Sequence, residues 1–67
     1  MKYVIMYNRD KSESKNFYIY NYKNALEFKS TLRYEDSQKM SLKSAISIQY
    51  FCNREYHDWK FFIKVYE

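Results

Sequence analysis

The chain contains no glycine and no proline, and cysteine occurs only once. Without glycine the sequence excludes a P-loop and a dinucleotide fingerprint, because both need glycine where the backbone approaches phosphate. Without proline it excludes a polyproline ligand. The lone Cys52 excludes an internal disulfide and a cysteine-rich zinc site. We expect turns that are long or that use Asn and Asp, since an Asn-Gly hairpin turn is ruled out.

Length and apolar runs are limited too. The chain has 67 residues, which predicts one domain over residues 1–67 that buries about 60% of its unfolded surface. We therefore expect aromatic burial or a homodimer to support the small core. No run approaches the ~18 apolar residues of a spanning helix, and Tyr3–Tyr7 is too short for a signal peptide. With an unpaired cysteine, this predicts no membrane partner and a cytoplasmic location in a bacterial, archaeal or virus-infected cell.

Aromatic and basic residues are abundant instead. Aromatic residues make up 22% of the chain, and 12 basic residues against 8 acidic ones give a net charge of +4. This charge permits attraction to nucleic acid or to an acidic protein surface without demanding either. The abundance of Lys, Tyr, Phe, Ile and Asn is typical of AT-rich codons, which indicates a bacterium, archaeon or virus as the source.

The two ends of the chain have strand patterns. Lys2–Asn8 is apolar on both faces, as in a central strand. Asn16–Tyr22 alternates, and the polar loop Arg9–Lys15 predicts a hairpin between the two. Trp59–Tyr66 alternates in the same way and predicts the last strand, after a loop over Asn53–Asp58.

The middle of the chain is harder to interpret. Asn24 resembles a helix cap, and Ala25, Phe28 and Leu32 follow at helical spacing, which predicts a helix over Asn24–Tyr34. Ser41–Cys52 fits both strand alternation and a helix face. The clustered Ile, Tyr, Phe and Cys favour a strand over Ser44–Cys52. The prediction is a two-layer α+β fold, with a four-stranded antiparallel sheet in the order hairpin-helix-hairpin (ββαββ) and the helix on one face.

This fold predicts a binding surface on the sheet face opposite the helix. Alternation buries one set of side chains, among them Ile46, Ile48 and Trp59, and leaves tyrosines, phenylalanines and lysines facing out. That face covers roughly 400 Å², comparable to functional apolar patches, and loop residues would extend it. The candidate binding residues are Tyr18, Tyr20, Tyr22, Phe51, Arg54, Tyr56, His57, Lys60, Phe62, Lys64 and Tyr66.

Four functions compete for this surface. The aromatics could pack against a second copy of the chain. They could bind a host or defence protein, which would make the chain a small inhibitor or modulator of the kind that phages and mobile elements encode, in the style of anti-CRISPR and anti-restriction proteins. They could stack on single-stranded nucleic acid while lysines contact phosphates. Finally, His57 beside Glu55 and Asp58 could serve an endoribonuclease toxin.

The favoured hypothesis is a non-enzymatic protein-binding module, with single-stranded nucleic acid as the alternative partner. No nucleophile signature surrounds Cys52, and an exposed loop histidine often has acidic neighbours by chance. Cys52 and His57 supply only two good zinc ligands. We therefore predict no catalytic residues, no metal and no cofactor.

Overall fold

The computed structural model describes residues 1–9 and 15–67, and it shows a four-stranded antiparallel sheet with one α-helix. The strands are β1 (Lys2–Asn8), β2 (Phe17–Asn24), β3 (Glu27–Thr31) and β4 (Lys60–Tyr66), in the order β3-β2-β1-β4 across the sheet. A 3-10 helix (Tyr34–Asp36) and the helix α1 (Leu42–Glu55) lie between β3 and β4 in sequence. The predicted two-layer α+β class is confirmed. Of the predicted loop Arg9–Lys15, residues 10–14 lie outside the described residues.

The order of the elements differs from the prediction, because three strands precede the helix and one follows it. The helix predicted over Asn24–Tyr34 is wrong. The Asn24 side chain does accept a backbone hydrogen bond, but its Oδ1 binds the N–H of Leu26 at 2.9 Å and closes a two-residue turn between β2 and β3. This turn uses asparagine, one of the two alternatives expected in the absence of glycine. Phe28 then packs edge-on against Tyr7, with 5.9 Å between ring centroids, so tertiary packing outweighs the helical spacing.

The strand predicted over Ser44–Cys52 is also wrong, since these residues belong to α1. Ser41 caps the helix by accepting a hydrogen bond from the N–H of Ser44 at 3.3 Å. Three residues at helical spacing are buried, and these are Ala45, Ile48 and Cys52. Ile46, which was predicted in the core, is 52% exposed. Two of the three buried residues, Ala45 and Cys52, are small. Larger apolar side chains of the same segment, such as Ile46, are exposed, so the sequence pattern did not reveal the helical period.

The sheet has an inner face towards α1 and an outer face away from it. Tyr7 pairs with Phe17 on β2 and with Phe61 on β4, and all three point inward. The helix lies over β1 and β4. The buried cluster between the layers consists of Ile5, Tyr7, Ile19, Met40, Ala45, Ile48, Cys52 and Phe61. The inward positions predicted for Phe17, Ile19 and Phe61 are confirmed.

The segment after β3 crosses the outer face and then passes between β1 and β2. These two strands pair only at Met6–Tyr18 and Tyr7–Phe17, and they diverge beyond that point. Gln38 fills the gap, because its N–H donates to the carbonyl of Ile19 at 2.9 Å. Its side-chain oxygen accepts from the N–H of Tyr22 at 3.0 Å. Met40 then bridges to Tyr3, and the chain continues into α1 on the inner face. This route places Tyr34 and its neighbours against the outer face.

Helix side chains bind the open edge of β4. The Gln49 side-chain amide donates to the carbonyl of Phe61 at 3.0 Å, and the Phe61 N–H donates to Asn53 Oδ1 at 3.2 Å. The Tyr34 hydroxyl donates to the carbonyl of Val65 at 3.3 Å. These bonds satisfy backbone groups that the edge position leaves without a strand partner.

Candidate binding surface

The outer face of β1 and β4 carries lysine and phenylalanine side chains. On this side β4 presents Lys60, Phe62 and Lys64, and all three are exposed. Neither strand contains an Asp or a Glu. At a rise of about 3.3 Å per residue, the Cα atoms of Lys60 and Lys64 lie roughly 13 Å apart, with Phe62 midway. We call these three residues the basic face. Their predicted juxtaposition is present, and it suits an anionic surface that also offers an apolar contact to Phe62.

A cluster of three tyrosines lies beside the basic face. Tyr34 stacks on Tyr66 with 4.9 Å between centroids, and it meets Tyr18 edge-on at 5.5 Å. Lys39 Nζ lies 4.4 Å from the centroid of the Tyr66 ring. Tyr18 and Tyr66 are thus on the predicted face, but they are half-buried and their rings contact other residues of the chain. The sequence prediction missed Tyr34 and Lys39, because both lie in a connector whose path across the sheet has no local signal.

Strand β2 has a β-bulge at Tyr20, and this bulge determines the face that Tyr22 occupies. The register of β2 and β3 shifts between Ile19 and Asn21, and the extra residue changes which face the following side chains occupy. Tyr20 is 42% exposed at the bulge. The outward position predicted for Tyr22 is wrong, because Tyr22 packs against the core and stacks on Phe28 at 6.2 Å. Burial, together with the nearby Cys52, raises the pKa of Tyr22.

Phe51 and Arg54 lie on α1 and are separated from the basic face by the sheet. Phe51 was predicted on the outer face as part of a strand, and that placement is wrong. Its ring is exposed and meets Tyr50 edge-on at 5.3 Å. Arg54 lies in the last helical turn, where a cation complements the helix dipole, and it borders an open groove of about 470 Å³ beside Ile46 and Tyr50.

Tyr56 and His57 directly follow the helix, but Tyr56 packs on the inner side of the sheet and His57 is exposed. Tyr56 donates its hydroxyl to the carbonyl of Ala25 at 2.7 Å and stacks on Trp59 at 4.5 Å, so it belongs to the inner side. Burial is the main cause that raises the pKa of Tyr56. His57 is exposed in the loop before β4. Of the eleven predicted residues, the structure therefore brings only part together on the outer face.

Acidic groups near the tyrosine cluster are paired within the chain. Arg33 lies 3.0 Å from a carboxylate oxygen of Glu35 and 3.4 Å from one of Asp36. A backbone hydrogen bond and the Arg33 guanidinium hold the pKa of Glu35 below its ordinary value. In the part of the chain that the structure describes, residues 1–9 and 15–67, the ion pairs do not include Lys60 or Lys64.

Comparison with sequence-family models, with curated proteins and with solved structures gave no significant match. Among residues 1–9 and 15–67, no three His, Cys, Asp or Glu side chains converge to form a group that could hold a metal ion. Within the same residues, no helix reaches the length and hydropathy needed to cross a membrane. Function is therefore argued from the geometry of the surface itself.

Proposed function

We propose that this chain is a non-enzymatic binding protein that covers an acidic surface of a partner protein with its basic face. The observation that carries the proposal is the exposed row of Lys60, Phe62 and Lys64 on β4, which, like its neighbour β1, contains no acidic residue. Complementary charge accelerates encounter and selects partners, whereas an aromatic side chain at the centre supplies the apolar contact typical of interface hot spots.

The same proposal includes the biological role of an inhibitor or modulator. A chain of 67 residues can block a partner simply by occupying its surface, and this requires no catalytic group. The AT-rich codon signature fits a phage or a mobile element as the source. The target is then a host or defence protein, in the style of anti-CRISPR and anti-restriction proteins.

A protein partner is favoured over single-stranded nucleic acid because few aromatic ring faces remain for bases. Sequence-tolerant binding of single strands uses successive exposed rings on which bases stack. Here Tyr34 stacks on Tyr66 and Tyr18 meets Tyr34, so these rings already contact one another. Phe62, which is 40% exposed, is left as the main stacking position on the basic face.

Fluorescence anisotropy with two labelled ligands of equal formal charge tests the proposal. One ligand is an acidic peptide that contains apolar residues, and the other is a single-stranded DNA or RNA. We expect tighter binding of the peptide, with affinity that falls as salt rises. Lys64→Glu and Phe62→Ala are each expected to weaken binding about tenfold, the equivalent of roughly 1.4 kcal/mol.

The matched control is Lys43→Glu, an exposed position on α1. Lys43→Glu and Lys64→Glu each change the net charge by two, from +4 to +2. Equal loss of affinity in the two variants would mean that only overall charge attracts the ligand, and the proposed surface would be wrong. Tighter binding of the oligonucleotide, lost in Phe62→Ala, would instead establish the nucleic-acid alternative.

A further inference from the structure

A recess opens on the inner face of the sheet, which is the side away from the basic face. The single helix lies over β1 and β4, so the inner face near the β2–β3 hairpin has no helix above it. A cavity of about 360 Å³ opens there. Five aromatic side chains line it, and these are Tyr7, Phe17, Phe28, Tyr56 and Trp59. Its size falls within the roughly 300–1,000 Å³ of small-molecule sites.

Four of these rings form a continuous row of nearly parallel planes. Phe17 lies 5.5 Å from Tyr7 at an interplanar angle of 26°. Tyr7 lies 5.5 Å from Trp59 at 17°, and Trp59 lies 4.5 Å from Tyr56 at 6°. Phe28 stands at 90° to Tyr7. Because these rings stack on one another, the cavity presents their edges, and Tyr7 is only 3% exposed. Ring edges carry the positive end of the ring quadrupole, so they favour the face of a flat aromatic ligand that lies across them.

The polar groups of the cavity define the charge of its ligand. Arg9 lies over the end of the row, with its guanidinium carbon 4.1 Å from the centroid of Phe17. A guanidinium that stacks by its face keeps the N–H groups at its edge directed outward, where they can bind an anion in a bidentate manner. Ser30, hydrogen-bonded to the Tyr7 hydroxyl, also lines the cavity. Among residues 1–9 and 15–67, no carboxylate lines it. A cationic ligand is therefore disfavoured.

We propose that this cavity binds a small ligand that combines a planar aromatic ring with an anionic group. The ring lies across the edges of Phe17 and Trp59, and the anion binds Arg9. Two sources share this chemistry, namely nucleoside monophosphates and aromatic carboxylic acids. The site is independent of the basic face, since the two lie on opposite sides of the sheet.

The test is a ¹H–¹⁵N NMR titration of the whole chain with AMP and with 3-phenylpropionate. Adenosine and inorganic phosphate, which each carry only one half of the proposed chemistry, serve as comparison ligands. We expect AMP or 3-phenylpropionate to shift the indole N–H of Trp59, the one tryptophan of the chain. Adenosine and phosphate should bind at least about tenfold more weakly, because each lacks either the charged hydrogen bond or the aromatic contact. The tighter of the two main ligands identifies the source.

Arg9→Gln removes the anion-binding group from an exposed position, and we expect it to weaken binding about tenfold. Arg9→Lys, which keeps the charge but loses the planar fork, should fall between the two. Arg54→Gln, on α1, is the matched control and should bind like the unchanged chain. Three results would each overturn the proposal: adenosine binding as tightly as AMP, shifts centred on Phe62 instead of Trp59, and no shift at millimolar ligand.

Discussion

A matched pair of substitutions tests whether the segment after Ser41 is a helix. Ile48 is 7% exposed and Ile46 is 52% exposed, although they are two residues apart on α1. Ile48→Val leaves a small void in the core and should lower the free energy of unfolding by about 0.5–1.5 kcal/mol. Ile46→Val removes a methylene that already faces solvent and should change it by less than about 0.5 kcal/mol. Both changes have the same effect on helix propensity, so the difference reports burial alone.

Urea unfolding followed by Trp59 fluorescence and far-UV circular dichroism measures the difference. With an m-value of about 1 kcal/mol/M for a domain this small, Ile48→Val should lower the midpoint by roughly 0.5–1.5 M. The valine substitution is preferred to alanine because a domain of this size has only about 3–5 kcal/mol of stability. In a strand, residues two apart point to the same side. Equal losses in the two variants would therefore restore the strand interpretation and refute α1.

Two further predictions concern buried side chains, and a third concerns self-association. Burial raises the pKa of Cys52 from 9.0 to about 11. The native thiol should therefore resist alkylation at pH 8, and a reactive native thiol would contradict this. The free energy of unfolding should fall between pH 9 and about 11, because the thiol ionises first in the unfolded chain, and Cys52→Ala should make that fall less steep. Tyr22→Ala should cost about 1–3 kcal/mol and Tyr20→Ala less than about 0.5 in thermal unfolding, whereas the reverse order would mean that the bulge is misplaced. The expected homodimer should appear in sedimentation equilibrium, and a monomer at all concentrations would rule it out.

Alternation in β2 and β4 predicted part of the core. Phe17, Ile19 and Phe61 point inward as expected, because a period of two admits only two faces once a strand is assigned. The class of fold is right although two elements were exchanged, because the segment predicted as the helix contains β3 and the segment predicted as a strand lies in α1. The basic face followed from alternation as well, since Lys60 and Lys64 occupy the opposite set of positions.

The middle of the chain was assigned wrongly because two weak signals pointed to the wrong segments. Asn24 caps a turn with the same side-chain oxygen that would cap a helix, so its identity alone does not separate the two. In α1 the buried positions include Ala45 and Cys52, whose small side chains contribute little to a hydrophobic pattern. The Ser41 cap was the available signal for this helix.

The tyrosine cluster and the bulge depend on contacts between distant parts of the chain. Tyr34 reaches Tyr66 because the connector crosses the sheet and enters the gap between β1 and β2, and no local pattern encodes that route. Tyr22 changes faces through one extra residue in β2. A strict period of two cannot anticipate such an insertion.

The hydrogen bonds at the edge of β4 bear on whether another chain can add to the sheet. An edge strand is a template on which another chain can add, and β4 carries two phenylalanines, an isoleucine and a valine. The amides of Gln49 and Asn53 occupy the Phe61 backbone in the manner of a neighbouring strand, and Tyr34 does the same at Val65. The helix and the connector thus occupy part of this edge, and another chain could pair with β4 there only by displacing these side chains.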